Sequence, residues 1–336
     1  MGKKSFVQWI LIGSICLFLF SAGQVGAGTD VTVAAIGKTS DTYMLAVGWS
    51  NALKKANAEV SITPLEGGGT IKLLRGVASG KWDIGFISSP HYLGAKEGKG
   101  RFKKDPPDLV KKYKDIRVLF GVTSGMAQMV VRADSGIKRI ADLKGKKIAI
   151  GQPGGGGAKI TPVILKVHGL EEGDYQPQFL KYGPALDEIR NNRLDSTVAW
   201  GGIPQAAIYN FSRQIPVTFL SIEKESFEKF RKEMRHGDRF LLRTYSADNL
   251  KAAYGKGVKQ DIDVNFWTFQ MQVVTRADMP ESVAYALVKT FWENLSDIKA
   301  TGVALANINK EDSLESLSAQ FHPGAEKYYK EKGWIK

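Results

Sequence analysis

Four short loops rich in glycine and hydroxyl side chains carry most of the chemistry this sequence offers. They are Gly37-Lys38-Thr39-Ser40-Asp41-Thr42-Tyr43, Gly67-Gly68-Gly69-Thr70, Ser88-Ser89-Pro90 and Gln152-Pro153-Gly154-Gly155-Gly156-Gly157. All but the Ser88 loop run directly into a helical pattern. A helix start presents unpaired backbone N–H groups and a partial positive charge of roughly half a unit. Glycines remove the Cβ atoms that keep a ligand off that backbone. Carboxylates and phosphates bind at such places without a dedicated cation. Thr39, Ser40, Thr42, Thr70, Ser88 and Ser89 add short donors at the same rim. Trp200 ends an apolar run directly before Gly201-Gly202 and is expected to face the same crevice with Gly202. Any one of these loops also reads as an ordinary tight turn. Together they predict a cleft for a small anion.

Other chemistries find no pattern. Ala158 separates Gly157 from Lys159, so the phosphate-loop order G-x-x-x-x-G-K-[ST] is broken. A dinucleotide fingerprint wants an acid at the end of the next strand, and Glu171 and Glu172 precede that strand. His91, His168, His236 and His322 are scattered, with no H-E-x-x-H spacing, and no G-x-S-x-G elbow is present. The reading is of a non-enzyme with no cofactor and no metal. Asp83 and Asp195 are expected to act in turns or caps.

The elements that must hold these loops alternate strand and helix, the mark of an α/β fold. Val31–Gly37 reads as a strand, Thr42–Ala56 as a helix with Leu45, Trp49, Ala52 and Leu53 on one face, and Val60–Leu65 as the next strand. A helix through Leu73, Leu74 and Val77 stops at Gly80, and Trp82–Ser88 is a third strand. The plan then repeats: strand Lys147–Gly151, a helix through Ile160, Val163, Ile164 and Val167, strand Gln178–Tyr182, helix Pro184–Asn191 closed by Asn192, and strand Leu194–Trp200. Gly37 to Gly67 and Gly151 to Gly183 span nearly equal lengths. In addition, the segment from Gln128 to Asp134 echoes the one from Gln272 to Asp278, each an apolar strand ending in Arg-Ala-Asp. These two strands bracket the second copy and are expected to mark the hinge crossings. The expected organisation is a leader over 1–27, a first lobe from 28–124, a second lobe over 125–245, and a hinge return with first-lobe C-terminal helices over 246–336. Trp49 and Trp82 are expected in the core, and ligands should collect beyond the carboxyl ends of the strands.

Composition bounds the setting. Lys3 and Lys4, the apolar stretch from Phe6 to Phe20 and the small residues Val25-Gly26-Ala27 have the order of a cleaved secretory leader. The apolar stretch is shorter than the roughly 20 residues of a spanning helix. Cys16 is the one cysteine of the chain. Once the leader leaves, thiol nucleophiles, disulfides and Cys-ligated metals are excluded. The net charge is +13, with basic residues crowded into Lys96–Lys114 and Arg231–Arg243. Both stretches also carry acids and lack interleaved aromatics, so they read as solvated faces, and nucleic acid is not an expected partner.

Several segments resemble the TAXI-type solute receptors of tripartite ATP-independent periplasmic (TRAP) transporters. They are Glu66–Ser89, Gly94–Phe102, Met129–Gly157, Val273–Leu295 and, most specific, HPGAEKYYKEKGW at His322–Trp334. The resemblance implies a two-lobed periplasmic-binding-protein fold (type II-like) with hinge-crossing strands and a central ligand cleft. It implies a periplasmic receptor that delivers a small anionic ligand, such as glutamate or 2-oxoglutarate, to a TRAP membrane permease; a ligand-sensing receptor for a signalling partner is the alternative. Family binding loops fall on Thr42-Tyr43, Gly67–Thr70, Ser88-Ser89, Gly154–Gly157 and Gly202-Ile203-Pro204. Two loops depart from the family. Lys38, Ser40 and Asp41 stand where glycine is usual, and Pro153–Ala158 lacks the hydroxyls of P-G-S-G-T. Lys38 compensates for lost donors, or Asp41 meets a ligand amine, on that comparison.

Overall fold

Two separate sheets, each backed by helices, organise the chain. The structure is a computed structural model and describes residues 28–38, 40–122, 125–153 and 156–336. The expected leader therefore lies outside the described residues. Among them, no helix is long and apolar enough to cross a membrane.

The first sheet has strand order β2-β1-β3-β12-β4. Its members are β1 (Thr29–Ala35), β2 (Val60–Glu66), β3 (Ile84–Ser88), β4 (Ile116–Val122) and β12 (Met271–Arg276). The second runs β10-β11-β5-β8-β6-β7, with β9 paired to β5. It is built from β5 (Met126–Arg132), β6 (Lys147–Ala149), β7 (Gln176–Gln178), β8 (Ser196–Gly201), β9 (Val217–Phe219), β10 (Phe240–Tyr245) and β11 (Val264–Phe269). β1 pairs in parallel with β2 and β3, and β6 pairs in parallel with β7 and β8. β12 then adds antiparallel to β3, as β5 does to β8. The two sheets thus share a four-strand unit, and the two Arg-Ala-Asp strands occupy the same place in it.

Local chemistry repeats with the topology. Asp83 Oδ2 accepts from Thr32 N at 2.9 Å, and Asp195 Oδ2 accepts from Lys147 N at 2.8 Å. Each carboxylate ties the start of the third strand to the first. Gly80 (φ 81°) and Asn192 (φ 54°) both turn the chain left-handed after a helix, a conformation that glycine and asparagine tolerate best. Arg132 pairs with Asp134 at 2.7 Å and Arg276 with Asp278 at 3.0 Å, so the Arg-Ala-Asp ends close on themselves.

The helices follow their caps and stripes. α1 (Asp41–Lys55) starts at Ser40, carries Asp41 in its first turn and Lys54 and Lys55 in its last, and buries Leu45, Trp49, Ala52 and Leu53. α2 (Thr70–Ala78) and α3 (Ser89–Lys96) follow β2 and β3, and α4 (Pro107–Lys112) precedes β4. In the second lobe stand α5 (Gly157–Val167), α6 (Tyr182–Arg190), α7 (Ala206–Ser212), α8 (Lys224–Glu233) and α9 (Ala247–Tyr254). α10 (Glu281–Glu293), α11 (Leu295–Ala300), α12 (Lys310–Ser313) and α13 (Pro323–Glu331) close the first lobe. Trp49 is fully buried and its Nε1 donates to Leu287 O at 3.1 Å, which binds α1 to α10. Trp82 fills the space left by Gly76, where a Cβ would stand 2.1 Å from the ring. Both tryptophans are core, as expected.

The structure departs from the sequence reading at two places. The strand expected at Gln178–Tyr182 is Gln176–Gln178, because Tyr182-Gly183-Pro184 already forms the first turn of α6, where proline costs no hydrogen bond. The second sheet also extends past residue 245. Leu250, Tyr254, Val264 and Phe266 share a core with Met126 and Val130, so residues 246–269 stand with the second lobe. The chain passes between sheets just before β5 and again at Gln270, directly before β12. Gln270 is fully buried, and its side chain donates to Asp312 O at 2.7 Å.

Candidate functional site

Where the two sheets face each other, a cavity of about 230 Å³ opens between α3 with the following loop on one side and α5 with the segment after α8 on the other. Ser88 and Gly156, from two of the loops singled out by sequence, both line it. Its floor is buried: Ser88, Gly94, Phe102 and Phe240. Its mouth is exposed and basic: Lys99, Lys159 and Arg235, with Arg101 partly covered beside them. Among the described residues no carboxylate lines it.

His91 organises the first-lobe wall. Its Nδ1 lies 2.9 Å from Thr70 Oγ1 and 2.8 Å from Ser88 Oγ. With Nδ1 as the acceptor, Nε2 keeps the proton and the ring is a neutral donor. Burial, followed by the charge of Arg101, pushes the His91 pKa down to about 4. The ring is therefore uncharged at neutral pH. Gly69 caps α2 beside this cluster, and a Cβ built there meets nothing within 4 Å. Gly68 adopts φ 99°, a conformation open to glycine alone among common residues.

The second-lobe wall carries the rings of Phe240 and Phe269, and Trp200 packs beside them without itself lining the cavity. Trp200 lies 5.1 Å from Phe269 between ring centres, and both pack on Trp267 or Phe240. The Trp200 indole N–H has no hydrogen-bond partner among the described residues, and it lies 3.6 Å from where a Cβ on Gly157 would be. Gly157 is the first residue of α5. An indole donor and a helix start thus stand side by side.

Several contacts bridge the lobes, among them Arg243 with Asp312 at 3.1 Å and with Glu315 at 2.5 Å. Asp41 Oδ2 accepts from Gly202 N at 3.1 Å. Burial raises the Asp41 pKa, partly opposed by the hydrogen bonds from Gly202 and from its own backbone. Glu97 pairs with Arg235 and lies 3.4 Å from His236 Nε2. Gly202 has no room for a side chain, since a Cβ would stand 2.7 Å from the Ala304 Cβ.

Other expected donors are turned inward. Ser40 Oγ donates to Gly37 O at 2.6 Å, and Thr42 Oγ1 accepts from Ile36 N at 3.1 Å. Their hydroxyls shape the loop. Tyr43 packs on the first-lobe core and Lys38 is exposed. Ser89 is fully buried at the hinge, with N and Oγ both directed to Gln270 O at 3.1 and 3.3 Å. Thr39, Gly154 and Gly155 lie outside the described residues. Tyr92 belongs to the core around Phe102.

Sequence reasoning dismissed His91 as scattered and read Lys96–Lys114 and Arg231–Arg243 as solvated. Lys99 and Arg235 are exposed, and within those stretches Lys99 and Arg101 face Arg235 and His236 across the cavity. The available signal was the i, i+3 spacing of Ser88 and His91 on one helical turn. The HPGAEKYY motif, by contrast, is a brace. His322 caps α13 by accepting from Gly324 N at 3.2 Å, and Tyr329 donates to Leu119 O at 2.6 Å.

The chain matches the NMT1-like family over residues 33–333 and belongs to that family. Among solved structures it is similar to the periplasmic aliphatic sulphonate binding protein SsuA from Escherichia coli, at 14% identity over 84% of this chain and 81% of that one, with a TM-score of 0.46. A TRAP periplasmic solute binding protein from Desulfovibrio salexigens gives 14% identity, coverage of 83% and 79%, and a TM-score of 0.46. A TRAP periplasmic solute binding protein from a Sulfitobacter species, with bound β-D-galacturonate, gives 10% identity, coverage of 91% and 96%, and a TM-score of 0.43.

Proposed function

We propose that the protein is an extracytoplasmic solute receptor of the TAXI type, which captures a small organic anion between its lobes and delivers it to a TRAP-type permease. The observation that carries this reading is the cavity between the sheets, lined by Lys99, Arg101, Lys159 and Arg235 and, among the described residues, by no acid. A cleft with one sign of charge on low-dielectric walls concentrates the opposite ion. The permease and the periplasmic setting rest on the sequence resemblance and the expected leader. Site residues in this reading are Thr70, Ser88, His91, Gly156, Gly157 and Trp200, with Gly68 and Gly69 beside them. Asp41 and Gly202 act as a clasp between the lobes.

Binding begins with the anion drawn to the basic mouth. Rotation about the segment before β5 and about Gln270 then brings the walls together, removing water and strengthening each hydrogen bond to the ligand. A molecule that binds only the folded protein raises its melting temperature. Protein stripped of carried ligand by unfolding and refolding, then screened with organic acids such as glutamate and 2-oxoglutarate, should respond to anions and not to amines or neutral sugars. A screen in which no acid raises the melting temperature refutes the reading.

A further inference from the structure

The cavity has two unlike ends. Lys99, Lys159 and Arg235 at the mouth are exposed, whereas the floor is made by buried Phe102 and Phe240 with Gly94 and Ser88. Ile160, Met234 and Phe269 form the partly exposed sides. Arg235 already faces Glu97, so Lys99 and Lys159, one from each lobe, are the mouth cations that carry no ion pair among the described residues. Apart from the partly covered Arg101, whose charge lies near His91, the cations of the lining sit at exposed positions.

Resting on the receptor reading above, we infer that the ligand is a one-headed organic anion: a single carboxylate or sulfonate held between Lys99 and Lys159, with an aromatic or branched apolar body directed at Phe102 and Phe240 and no ammonium group. A second carboxylate at the floor would lose its water against phenyl rings and find no partner to replace it. An ammonium group fares no better. Among the described residues the lining holds no carboxylate, and the two that reach between the lobes are engaged: Glu97 pairs with Arg235, and Asp41 accepts from Gly202 N. At about 230 Å³ the cavity falls below the range of drug-sized pockets, so the body is small, on the order of ten heavy atoms. The neutral His91 ring, fixed through Nδ1 by Thr70 and Ser88, has one N–H left for an uncharged acceptor such as a 2-oxo oxygen.

Calorimetric titration of the ligand-free mature chain tests this with four probes: phenylpyruvate, phenylalanine, 2-oxoglutarate and phenethylamine. Phenylpyruvate is expected to bind at least ten times more tightly than 2-oxoglutarate, with phenylalanine and phenethylamine weaker still. Equal or tighter binding of 2-oxoglutarate or of phenylalanine overturns the inference and leaves the anion receptor standing. Binding of phenethylamine alone overturns both. A second arm uses Ile160→Lys, which places a cation on the partly exposed apolar side. It should shift the ratio of affinities toward 2-oxoglutarate by tenfold or more, and an unchanged ratio speaks against an apolar body lying there.

Discussion

Acidification from pH 7 to pH 5 should destabilise the protein through His91, and by an amount that can be worked out. The folded-state pKa is about 4, against an ordinary value of 6.5. A depressed histidine favours folding above the unfolded value, and that stability is lost as pH falls from there toward the folded value. At pH 7 neither state binds much proton at this site. At pH 5 the unfolded chain is almost fully protonated while the folded ring remains neutral. Integrating the difference gives a loss of about 2 kcal/mol between the two pH values. Water entering the cleft screens part of this, so the figure is a ceiling. For a chain of this size the loss corresponds to roughly 3 °C in melting temperature. The control is His91→Gln, whose amide oxygen still accepts from Ser88 or Thr70 but does not titrate. Urea unfolding of both proteins at pH 7 and pH 5 should show a smaller drop for the variant. If both lose the same stability, the cluster of His91, Thr70 and Ser88 is not arranged as described.

Asp41→Asn keeps an acceptor for Gly202 N and removes a buried charge. Because the Asp41 pKa is raised, its stabilising effect is present below the ordinary carboxylate range and lost as pH rises through the folded value. The variant should therefore melt higher than the parent at pH 7, with the advantage vanishing below about pH 4; a lower melting point at pH 7 contradicts this. Gly324→Ala drives a Cβ to 2.3 Å from Glu281 O and should cost about 1–3 kcal/mol in chemical unfolding by forcing α13 from α10. A neutral result would show that these helices part easily. Glu97→Gln releases Arg235 from its carboxylate partner. Anion affinity should rise a fewfold and become more sensitive to salt, read by titration at two ionic strengths. Unchanged affinity would mean that Arg235 does not reach the ligand.

Most of the architecture was legible because each local signal had a separate physical cause. Gly80 and Asn192 stop equivalent helices by left-handed turns, and Asp83 and Asp195 tie equivalent strands. The repeat was therefore visible without any contact information. The strand near Gln178 was displaced because Tyr182-Gly183-Pro184 looks like a break but is a permitted helix start. The second lobe was cut short at residue 245 because β11 returns to pair with β10 and β5 through long-range contacts that leave no local mark. Within the site, glycine loops and Ser88 were readable from strand ends. Ser40 and Thr42 looked like ligand donors, yet nearby backbone groups claim their hydroxyls first. His91, Lys99 and Lys159 were missed for the opposite reason. They meet only when β3, α3 and α5 are folded against one another, and their identity as a group is tertiary.

In the proposed receptor an anion is held between the lobes by charge from both sides. Calorimetry with the acid that raises the melting temperature most, comparing the parent with the Lys99→Gln, Lys159→Gln double variant, tests it directly. Two charge contacts from exposed lysines, at about 1 kcal/mol each, predict a loss of roughly thirtyfold in affinity, with ligand-free stability unchanged. Equal affinity in parent and double variant would show that these lysines do not hold the anion.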